Sequence, residues 1–230
     1  MTSVAEIFGI KTEENNLFEY ALTHPSYTKE NNLSFTECYE RLEFLGDSVL
    51  KLLISELLYT KYPEYSEGDM SKIRSIVVSD NTLSKIAINI GLDKLIKAGI
   101  HDEKQGVTRL ESVTACAFEA ILGAYYLNGK LQELKGFASK VFTQYIEEVD
   151  KNFEKYNAKA ILQEYTQSLT KEIPVYKLLG TKGPEHHKIF EIEVSYRGEA
   201  IATGEGRTKK DAEQNAAYEA CKKLGAICHK

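Results

Sequence analysis

A nine-residue stretch at residues 40–48, ERLEFLGDS, constrains the fold and the chemistry of this chain more than any other segment. It lies in a run from about residue 38 to residue 62 in which apolar residues recur at steps of three and four, and Pro63 ends the run. This spacing predicts a long, mostly buried helix. The apolar positions of the predicted stripe are Leu42, Leu45, Val49, Leu52, Leu53 and Leu57.

Three carboxylates of this stretch, Glu40, Glu43 and Asp47, are spaced i, i+3 and i+7 and share one face of the predicted helix. Like charges at this spacing destabilise a helix by about 0.2–0.5 kcal/mol per pair, and burial increases the cost. A divalent cation would turn that cost into a site, because Mg²⁺ prefers carboxylate oxygens and water. The alternative is a solvated acidic face, which fits Glu43 and Asp47 poorly because their chain neighbours are apolar. Gly46, at about 1 kcal/mol less favourable than Ala inside a helix, indicates that another element packs closely there.

A second predicted helix covers residues 111–127, is rich in Ala and Gly, and ends at an Asn-Gly pair. Small residues allow another helix to approach closely. Glu119 is the only charged residue between Ser112 and Lys130, and its neighbours are apolar. Because a buried carboxylate needs a partner or a metal ion, we expect Glu119 to face the acidic side of the first helix.

The charge distribution divides the chain into two parts. Residues 1–150 carry 15 Lys and Arg against 23 Asp and Glu, a net charge of −8, whereas residues 151–230 carry 14 against 11, a net charge of +3. A length of 230 residues allows one or two domains. We therefore predict a domain at residues 1–150 that holds cations, a polar linker at residues 151–157, and a domain at residues 158–230 that binds phosphates.

Neither the composition nor the N-terminus predicts a membrane or secreted location. No apolar run is long enough to span a bilayer, and the first residues lack the basic and apolar regions of a signal peptide. The four cysteines have no metal-ligand spacing and are predicted to be reduced thiols of a cytoplasmic protein. They are Cys38, Cys116, Cys221 and Cys228.

The last seventy or so residues have the pattern α-β-β-β-α, with helices predicted at residues 158–169 and 208–224. Strands are predicted at residues 175–179, 190–196 and 200–204, the second of them from strict alternation of apolar and polar residues. Lys209 and Lys210 fall in the first turn of the last helix, where the helix dipole favours anions. A bound phosphate would explain both lysines, and a solvated lysine pair is the alternative.

The stretch at residues 40–48 resembles the signature of the ribonuclease III family, the metal-dependent endonucleases of double-stranded RNA. The end of the chain resembles a double-stranded-RNA-binding domain at residues 162–165 (LQEY), 183–186 (GPEH) and 206–213 (GRTKKDAE). Together the resemblances cover nearly the whole chain. They imply an all-α nuclease domain followed by a small α+β (α-β-β-β-α) double-stranded-RNA-binding domain.

The resemblance implies a homodimeric endoribonuclease that cuts double-stranded RNA hydrolytically, leaves 5′-phosphate and 3′-hydroxyl ends, and processes structured rRNA and mRNA precursors. Glu43, Asp47 and Glu119 would hold Mg²⁺, for which Mn²⁺ can substitute. Asp47 and Glu119 would be the indispensable catalytic pair. Glu40 and Glu67 would be secondary acidic residues near the catalytic cleft.

Two residues also have structural explanations. Glu67 lies in a turn-rich segment before a helix predicted to begin near residue 72, and it is equally well explained as a loop acid beside a helix N-terminus. Phe44 matches the aromatic residue that the family inserts into the other subunit of the dimer. It is also explained as an ordinary core Phe, because the surrounding helix is apolar.

The resemblance further assigns RNA contacts to the C-terminal domain. In such domains the first helix and the loop between the first two strands reach successive minor grooves, and lysines bind the phosphates between them. The matching residues are Gln163, Glu164, His186, Thr208, Lys209 and Lys210, with Gln167 as a weaker match. Such a domain recognises duplex shape and 2′-hydroxyls, so we expect little sequence specificity.

Cys116 is the one departure from the family pattern at the metal site. The family has an Asp ligand three residues before the Glu that matches Glu119, and a thiol is a poor ligand for Mg²⁺. One alternative is therefore a double-stranded-RNA-binding protein whose cleavage is impaired by Cys116. Considered alone, Cys116 is also explained as a small buried apolar residue.

Overall fold

A computed structural model describes residues 3–11, 15–184 and 188–227. The chain divides into two compact units, Met1–Val149 and Asp150–Lys230, which are described separately below. Among the helices of the described ranges, none is both long enough and apolar enough to cross a membrane.

The first unit is built from helices. Its α-helices are α1 (Val4–Phe8), α2 (Asn16–Ala21), α3 (Pro25–Glu30), α4 (Glu40–Lys61), α5 (Glu67–Val77), α6 (Asp80–Asn89), α7 (Ile100–Lys104), α8 (Glu111–Leu127) and α9 (Leu131–Lys151), and short 3₁₀ turns lie at Leu92–Lys94 and Val107–Arg109. The largest fully buried side chains include Tyr125, Phe118 and Phe142, which come from α8 and α9. Aromatic and aliphatic residues around α8 therefore form the core of this unit.

The pairing of α4 with α8 is a direct contact between backbones. A Cβ atom added to Gly46 on α4 would lie 1.8 Å from the carbonyl oxygen of Glu119, and one added to Gly123 on α8 would lie 2.4 Å from that of Leu42. Neither position can carry a side chain at this separation. The close packing predicted at Gly46 is thus confirmed, and its partner is the backbone of Glu119 itself.

The buried face of α4 differs from the predicted stripe. The residues that it buries are Leu42, Gly46, Val49, Leu50, Leu53, Ile54 and Leu58. Leu52 is 52% exposed and Leu45 only partly buried, so the prediction was wrong at Leu52. The reason is that α4 crosses α8 at Gly46, so the face of α4 that contains Gly46 is buried against α8. The predicted stripe was built from large apolar residues and did not include this glycine.

The helix after Pro63 begins earlier than predicted. Ser66 caps α5, and its hydroxyl oxygen accepts a hydrogen bond from the backbone N–H of Asp69 at 3.1 Å. Glu67 is therefore the first residue of α5 rather than part of a loop, because Ser66 satisfies the free N–H groups that the prediction had given to Ser71.

In its described residues, the second unit contains three helices and one antiparallel sheet. Its elements are α10 (Phe153–Tyr156), α11 (Ala158–Thr170), β1 (Val175–Lys182), β2 (Ile189–Tyr196), β3 (Glu199–Gly206) and α12 (Lys209–Leu224), with the strand order β1-β2-β3. Arg197 and Gly198 form the tight turn between β2 and β3 with φ values of 57° and 80°. The core of the unit is Ala158, Leu162, Val194, Ala202, Ala216, Ala217, Ala220 and Cys221.

Residues 151–157, predicted as a polar linker, are mostly helical. The α9 helix continues to Lys151, and α10 forms one turn from Phe153 to Tyr156. A four-residue helix is too short to produce a recognisable apolar period, which explains why the sequence pattern missed it.

Candidate active site and nucleic-acid interface

An acidic cavity of about 550 Å³ lies in the helical unit where α4, α5, α6 and α8 meet. The residues that line it are Glu40, Glu43, Phe44, Asp47, Lys51, Ser75, Val78, Asp80 and Glu119. The contact of Gly46 with the backbone of Glu119 is what brings the acidic face of α4 to α8. Four of the predicted acidic residues, Glu40, Glu43, Asp47 and Glu119, are therefore in one cavity.

Two further predicted residues occupy different positions. Among the described residues, Glu67 does not line the cavity, and its carboxylate accepts a hydrogen bond from the Ser71 hydroxyl at 2.7 Å. Cys116 lies on α8, about one turn before Glu119, and its side chain is half-buried. The alternative explanation of Cys116 as a small buried apolar residue stays a prediction, although the Glu43 carboxylate and the Cys116 thiol are close enough to affect each other's pKa.

The Cys116 side chain is a neutral thiol in this environment. Burial, followed by the charge of Glu43, raises its pKa well above the usual range. A thiol with a raised pKa remains protonated at neutral pH and is a poor metal ligand. Cys38, Cys116 and Cys221 are all free cysteines, as predicted, and Cys228 lies outside the described residues.

Asp80 is a carboxylate of the cavity that the sequence did not reveal. It is the first residue of α6 and reaches the site because α6 packs on α8. Asp80 contributes to raising the pKa values of Glu43 and Glu119. No sequence signal marked Asp80, since an acidic residue in the first turn of a helix is ordinarily explained by the helix dipole.

The cavity residues fit a hard divalent cation in their chemistry. Five carboxylates lie around one space, and oxygen ligands are what Mg²⁺ and Mn²⁺ bind. Within residues 3–11, 15–184 and 188–227, however, no three His, Cys, Asp or Glu side chains are positioned together to hold a metal ion. Binding a cation would therefore require some of these side chains to turn toward it.

Glu119 shows most clearly that the negative charge of the cavity is not neutralised. Burial, followed by the charges of Asp47, Glu43 and Asp80, raises the pKa of Glu119 to about 8, and Lys51 opposes this only in part. Burial also raises the pKa of Glu43. Glu119 is consequently protonated at neutral pH unless a cation is present.

This raised pKa predicts a pH dependence of stability in the absence of metal ions. Between pH 4.5, the ordinary pKa of a Glu side chain, and about pH 8, the folded protein keeps a proton on Glu119 that the unfolded chain has lost. The free energy of unfolding should therefore fall as the pH rises through this window. We expect Glu119→Gln to flatten that fall, measured as melting temperature in chelator from about pH 5 to about pH 9. Glu111→Gln, at an exposed position of the same helix, is the control, and an unchanged slope in Glu119→Gln would contradict the assignment.

Phe44 is 81% exposed, so its explanation as an ordinary core Phe is wrong. An apolar cavity of about 730 Å³ lies beside it on the same unit. The residues that line it are Leu17, Tyr20, Thr36, Cys38, Glu40, Arg41, Leu42, Phe44, Leu45 and Leu127. A solvent-exposed aromatic ring next to an apolar cavity is a typical feature of a protein–protein interface.

In the second unit, the predicted RNA-binding residues of the two long helices are exposed. Gln163, Glu164 and Gln167 lie on the solvent side of α11. Thr208 caps α12, and its hydroxyl oxygen accepts a hydrogen bond from the N–H of Asp211 at 3.1 Å. Lys209 and Lys210 follow in the first turn and are exposed. His186 lies outside the described residues.

The approach of α12 to the sheet depends on two glycines of β3. A Cβ atom added to Gly204 would lie 2.1 Å from the backbone nitrogen of Ala216, and one added to Gly206 would lie 2.4 Å from that of Ala212. The start of α12 is thus held directly against the end of β3. This contact fixes the position of the lysine-bearing turn.

Comparison with known proteins identifies both units. A family model described as Ribonuclease-III-like matches residues 14–146, more than half of the chain. A second model, described as double-stranded RNA binding motif, matches residues 158–224. The chain belongs to the ribonuclease III family.

Relatives of the whole chain agree with this assignment. The Ribonuclease 3 of Pelotomaculum thermopropionicum is 39% identical over 231 residues, covering 100% of this chain and 96% of the relative. That of Fusobacterium nucleatum is 40% identical over 215 residues, covering 92% and 90%. A solved nuclease domain of ribonuclease III from Campylobacter jejuni is 32% identical, has a TM-score of 0.56, and covers 61% of this chain and 94% of that chain. That nuclease domain is described as structurally flexible in a region involved in dimer formation.

The chain is therefore a hydrolytic endoribonuclease of the ribonuclease III type. The predicted fold class, an all-α nuclease domain followed by a small α+β double-stranded-RNA-binding domain, is confirmed. The functional roles of the individual site residues stay predictions.

Proposed function

We propose that this ribonuclease III cleaves double-stranded RNA by divalent-metal-dependent hydrolysis, leaving 5′-phosphate and 3′-hydroxyl ends. Structured rRNA and mRNA precursors in the cytoplasm are its proposed substrates. Residues 1–150 form the nuclease domain, residues 151–157 connect it, and residues 158–230 form the RNA-binding domain. The observation that supports the proposal is the cavity in which carboxylates of α4, α6 and α8 lie together.

In this proposal Glu43, Asp47 and Glu119 hold Mg²⁺, or Mn²⁺ in its place. The bound cation would lower the pKa of a water molecule and stabilise the charge that develops on the phosphate. Glu119 must lose its proton to serve as a ligand, which makes cation binding pH-dependent. Asp80 faces the same space from α6 and supplies a carboxylate oxygen that Cys116 does not. Glu40 adds a further carboxylate to the lining of the cavity.

The comparisons offer no support for the alternative of an RNA-binding protein with impaired cleavage, since the full-length relatives carry the name Ribonuclease 3. Cys116 is expected to affect the rate rather than the reaction. We expect Cys116→Asp to raise the cleavage rate at subsaturating Mg²⁺ about tenfold, equivalent to about 1.4 kcal/mol of transition-state stabilisation. Without metal the added charge should lower the melting temperature, because three carboxylates already lie close by.

Cleavage of a long RNA duplex tests this prediction and the proposed function together. The rates of the parent chain, Cys116→Asp and the neutral control Cys116→Ser are measured against Mg²⁺ concentration, and the product ends are analysed chemically. Single-stranded RNA serves as the substrate control. Failure of the parent chain to cut duplex RNA would contradict the proposed function. Equal rates for Cys116→Asp and the parent would show that position 116 does not contact the cation.

The second domain is proposed to hold the duplex. Gln163, Glu164 and His186 contact neighbouring minor grooves, while Lys209 and Lys210, with the Thr208 cap, contact the phosphates between them. Support comes from α12, where both lysines are exposed in the first turn and neither forms an ion pair with another described residue. A backbone phosphate at that turn would meet free N–H groups as well as two ammonium groups.

Replacement of both lysines should weaken duplex binding and change its salt dependence. For Lys209→Ala with Lys210→Ala, we expect the slope of log affinity against log salt to become shallower by about two, because about one counterion is released per phosphate contact. The measurement is binding to duplex RNA at several salt concentrations without a cleaving metal. Lys222→Ala with Lys223→Ala removes the same charge from the other end of α12 and should leave the slope nearly unchanged. Equal slopes for the two double variants would argue against the phosphate contact.

The nuclease domain is proposed to form a homodimer through the surface around Phe44. In a two-fold dimer the same surface occurs on both subunits, so each Phe44 ring would enter the apolar cavity of the other subunit. The exposure of Phe44 beside that cavity supports this arrangement.

A further inference from the structure

Lys51 differs from all its charged neighbours in the acidic cavity. Of the described charged residues that line it, five are carboxylates and Lys51 is the one cation. Its Nζ atom lies 2.7 Å from Oδ2 of Asp47, and the side chain is 51% exposed. Lys51 also lies within electrostatic reach of Glu119 on the facing helix. Among the described residues, the one positive charge of the cavity thus lies beside Asp47, one of the two carboxylates proposed to be indispensable.

A purely structural role explains Lys51 less well than it explains the other lysine of α4. Lys61 pairs with Glu147 of α9 at 2.8 Å and so joins two helices. The pair of Lys51 with Asp47 lies within one helix, spans four residues and joins no other element. An exposed pair of this kind contributes little to stability, because water and salt screen the two charges. Stability therefore gives little reason for a lysine at this position.

The substrate gives a stronger reason. A phosphate that enters the cavity is repelled by the carboxylates around it, and a lysine there would offset part of that repulsion. The Lys51 side chain has four carbons and is half exposed. It can therefore turn from Asp47 toward a phosphate oxygen, and among the described residues its hydrogen bond to Asp47 is the one that this movement breaks. A charge-assisted contact with phosphate is about twice as strong as a neutral hydrogen bond.

We propose that Lys51 binds a backbone phosphate of the RNA next to the bond that is cut. The helix α4 then supplies both the carboxylates of the site and a cation that holds the substrate against them. The inference rests on the proposed function, because it takes duplex RNA as the substrate. Lys51 is a substrate-binding residue in this account and takes no part in proton transfer.

The test compares full-length Lys51→Ala, Lys51→Arg and the matched control Lys61→Ala. The Michaelis constant and kcat for duplex RNA are measured in Mg²⁺ at several salt concentrations, and binding is measured separately in Ca²⁺. For Lys51→Ala we expect KM to rise about tenfold, and the slope of log kcat/KM against log salt to become shallower by about one. Lys51→Arg should keep the slope of the parent chain, and Lys61→Ala should behave like the parent.

Two results would overturn the inference. One is an unchanged KM and salt slope in Lys51→Ala. The other is a changed kcat with the parent slope, which would mean that Lys51 acts only by holding Asp47. If the parent chain fails to cut duplex RNA, the proposed function fails instead. The binding slopes of Lys51→Ala and Lys61→Ala still decide whether Lys51 contacts a phosphate.

Discussion

Glu119→Gln is expected to lower the metal-dependent cleavage of duplex RNA on the order of 10,000-fold while leaving the affinity for the duplex within about threefold. The expected loss is large because Gln keeps the size of Glu but cannot carry the negative charge that a divalent cation requires. Affinity should persist because the proposed RNA contacts of residues 158–230 are unaffected.

The structure makes Glu119→Gln an interpretable variant. The backbone of Glu119, rather than its side chain, packs against Gly46, so the α4–α8 contact does not depend on the carboxylate. The variant should therefore fold, and its metal-free form should be at least as stable as the parent above neutral pH. A loss of cleavage can then be attributed to the site.

The measurements are single-turnover cleavage in saturating Mg²⁺ and duplex binding in Ca²⁺. Glu111→Gln removes one carboxylate from an exposed position of the same helix and should cleave at the parent rate. Cleavage by Glu119→Gln within about tenfold of the parent would show that this carboxylate is not a ligand.

Phe44→Ala is expected to raise the dissociation constant of the dimer on the order of 1,000-fold. A buried aromatic anchor at an interface contributes about 2 kcal/mol, and a two-fold dimer contains two such rings. The same truncation should have little effect on the stability of the isolated subunit, because the Phe44 ring is 81% exposed within one chain.

The dissociation constant is measured by sedimentation over a range of protein concentrations. Tyr59→Ala is the matched control, since Tyr59 is an exposed aromatic residue of the same helix, 75% exposed, and does not line the apolar cavity in the described structure. A Phe44→Ala protein that dimerises as tightly as Tyr59→Ala would exclude Phe44 as the anchor.

The sequence predicted the fold class because its signals are local. Two long apolar-periodic segments gave α4 and α8, and strict alternation gave β2. The exact face of α4 was not predictable in the same way. Gly46 is buried and Leu52 is exposed because of the point at which α8 crosses α4. The spacing of apolar residues along α4 does not reveal where another helix will cross it.

The candidate site was predictable where charge was isolated among apolar residues. Glu119 stood alone in an apolar helix, and the structure brings it to the cavity of Glu43 and Asp47. Asp80 was missed because its position at the start of α6 has an ordinary local explanation, and only the packing of α6 on α8 turns it toward the cavity. Lys51 was missed for a similar reason, as a lysine four residues after an aspartate is a common surface pair.

In the proposed mechanism, the contact between Gly46 and the backbone of Glu119 makes RNA cleavage depend on complete folding. A Cβ atom added to Gly46 would lie 1.8 Å from the carbonyl oxygen of Glu119, so the two main chains pack directly on each other with no side chain between them. A partly folded chain in which α4 and α8 have not fully docked would hold its carboxylates apart. A newly made chain is consequently expected to cut no RNA until α4 and α8 have docked against each other.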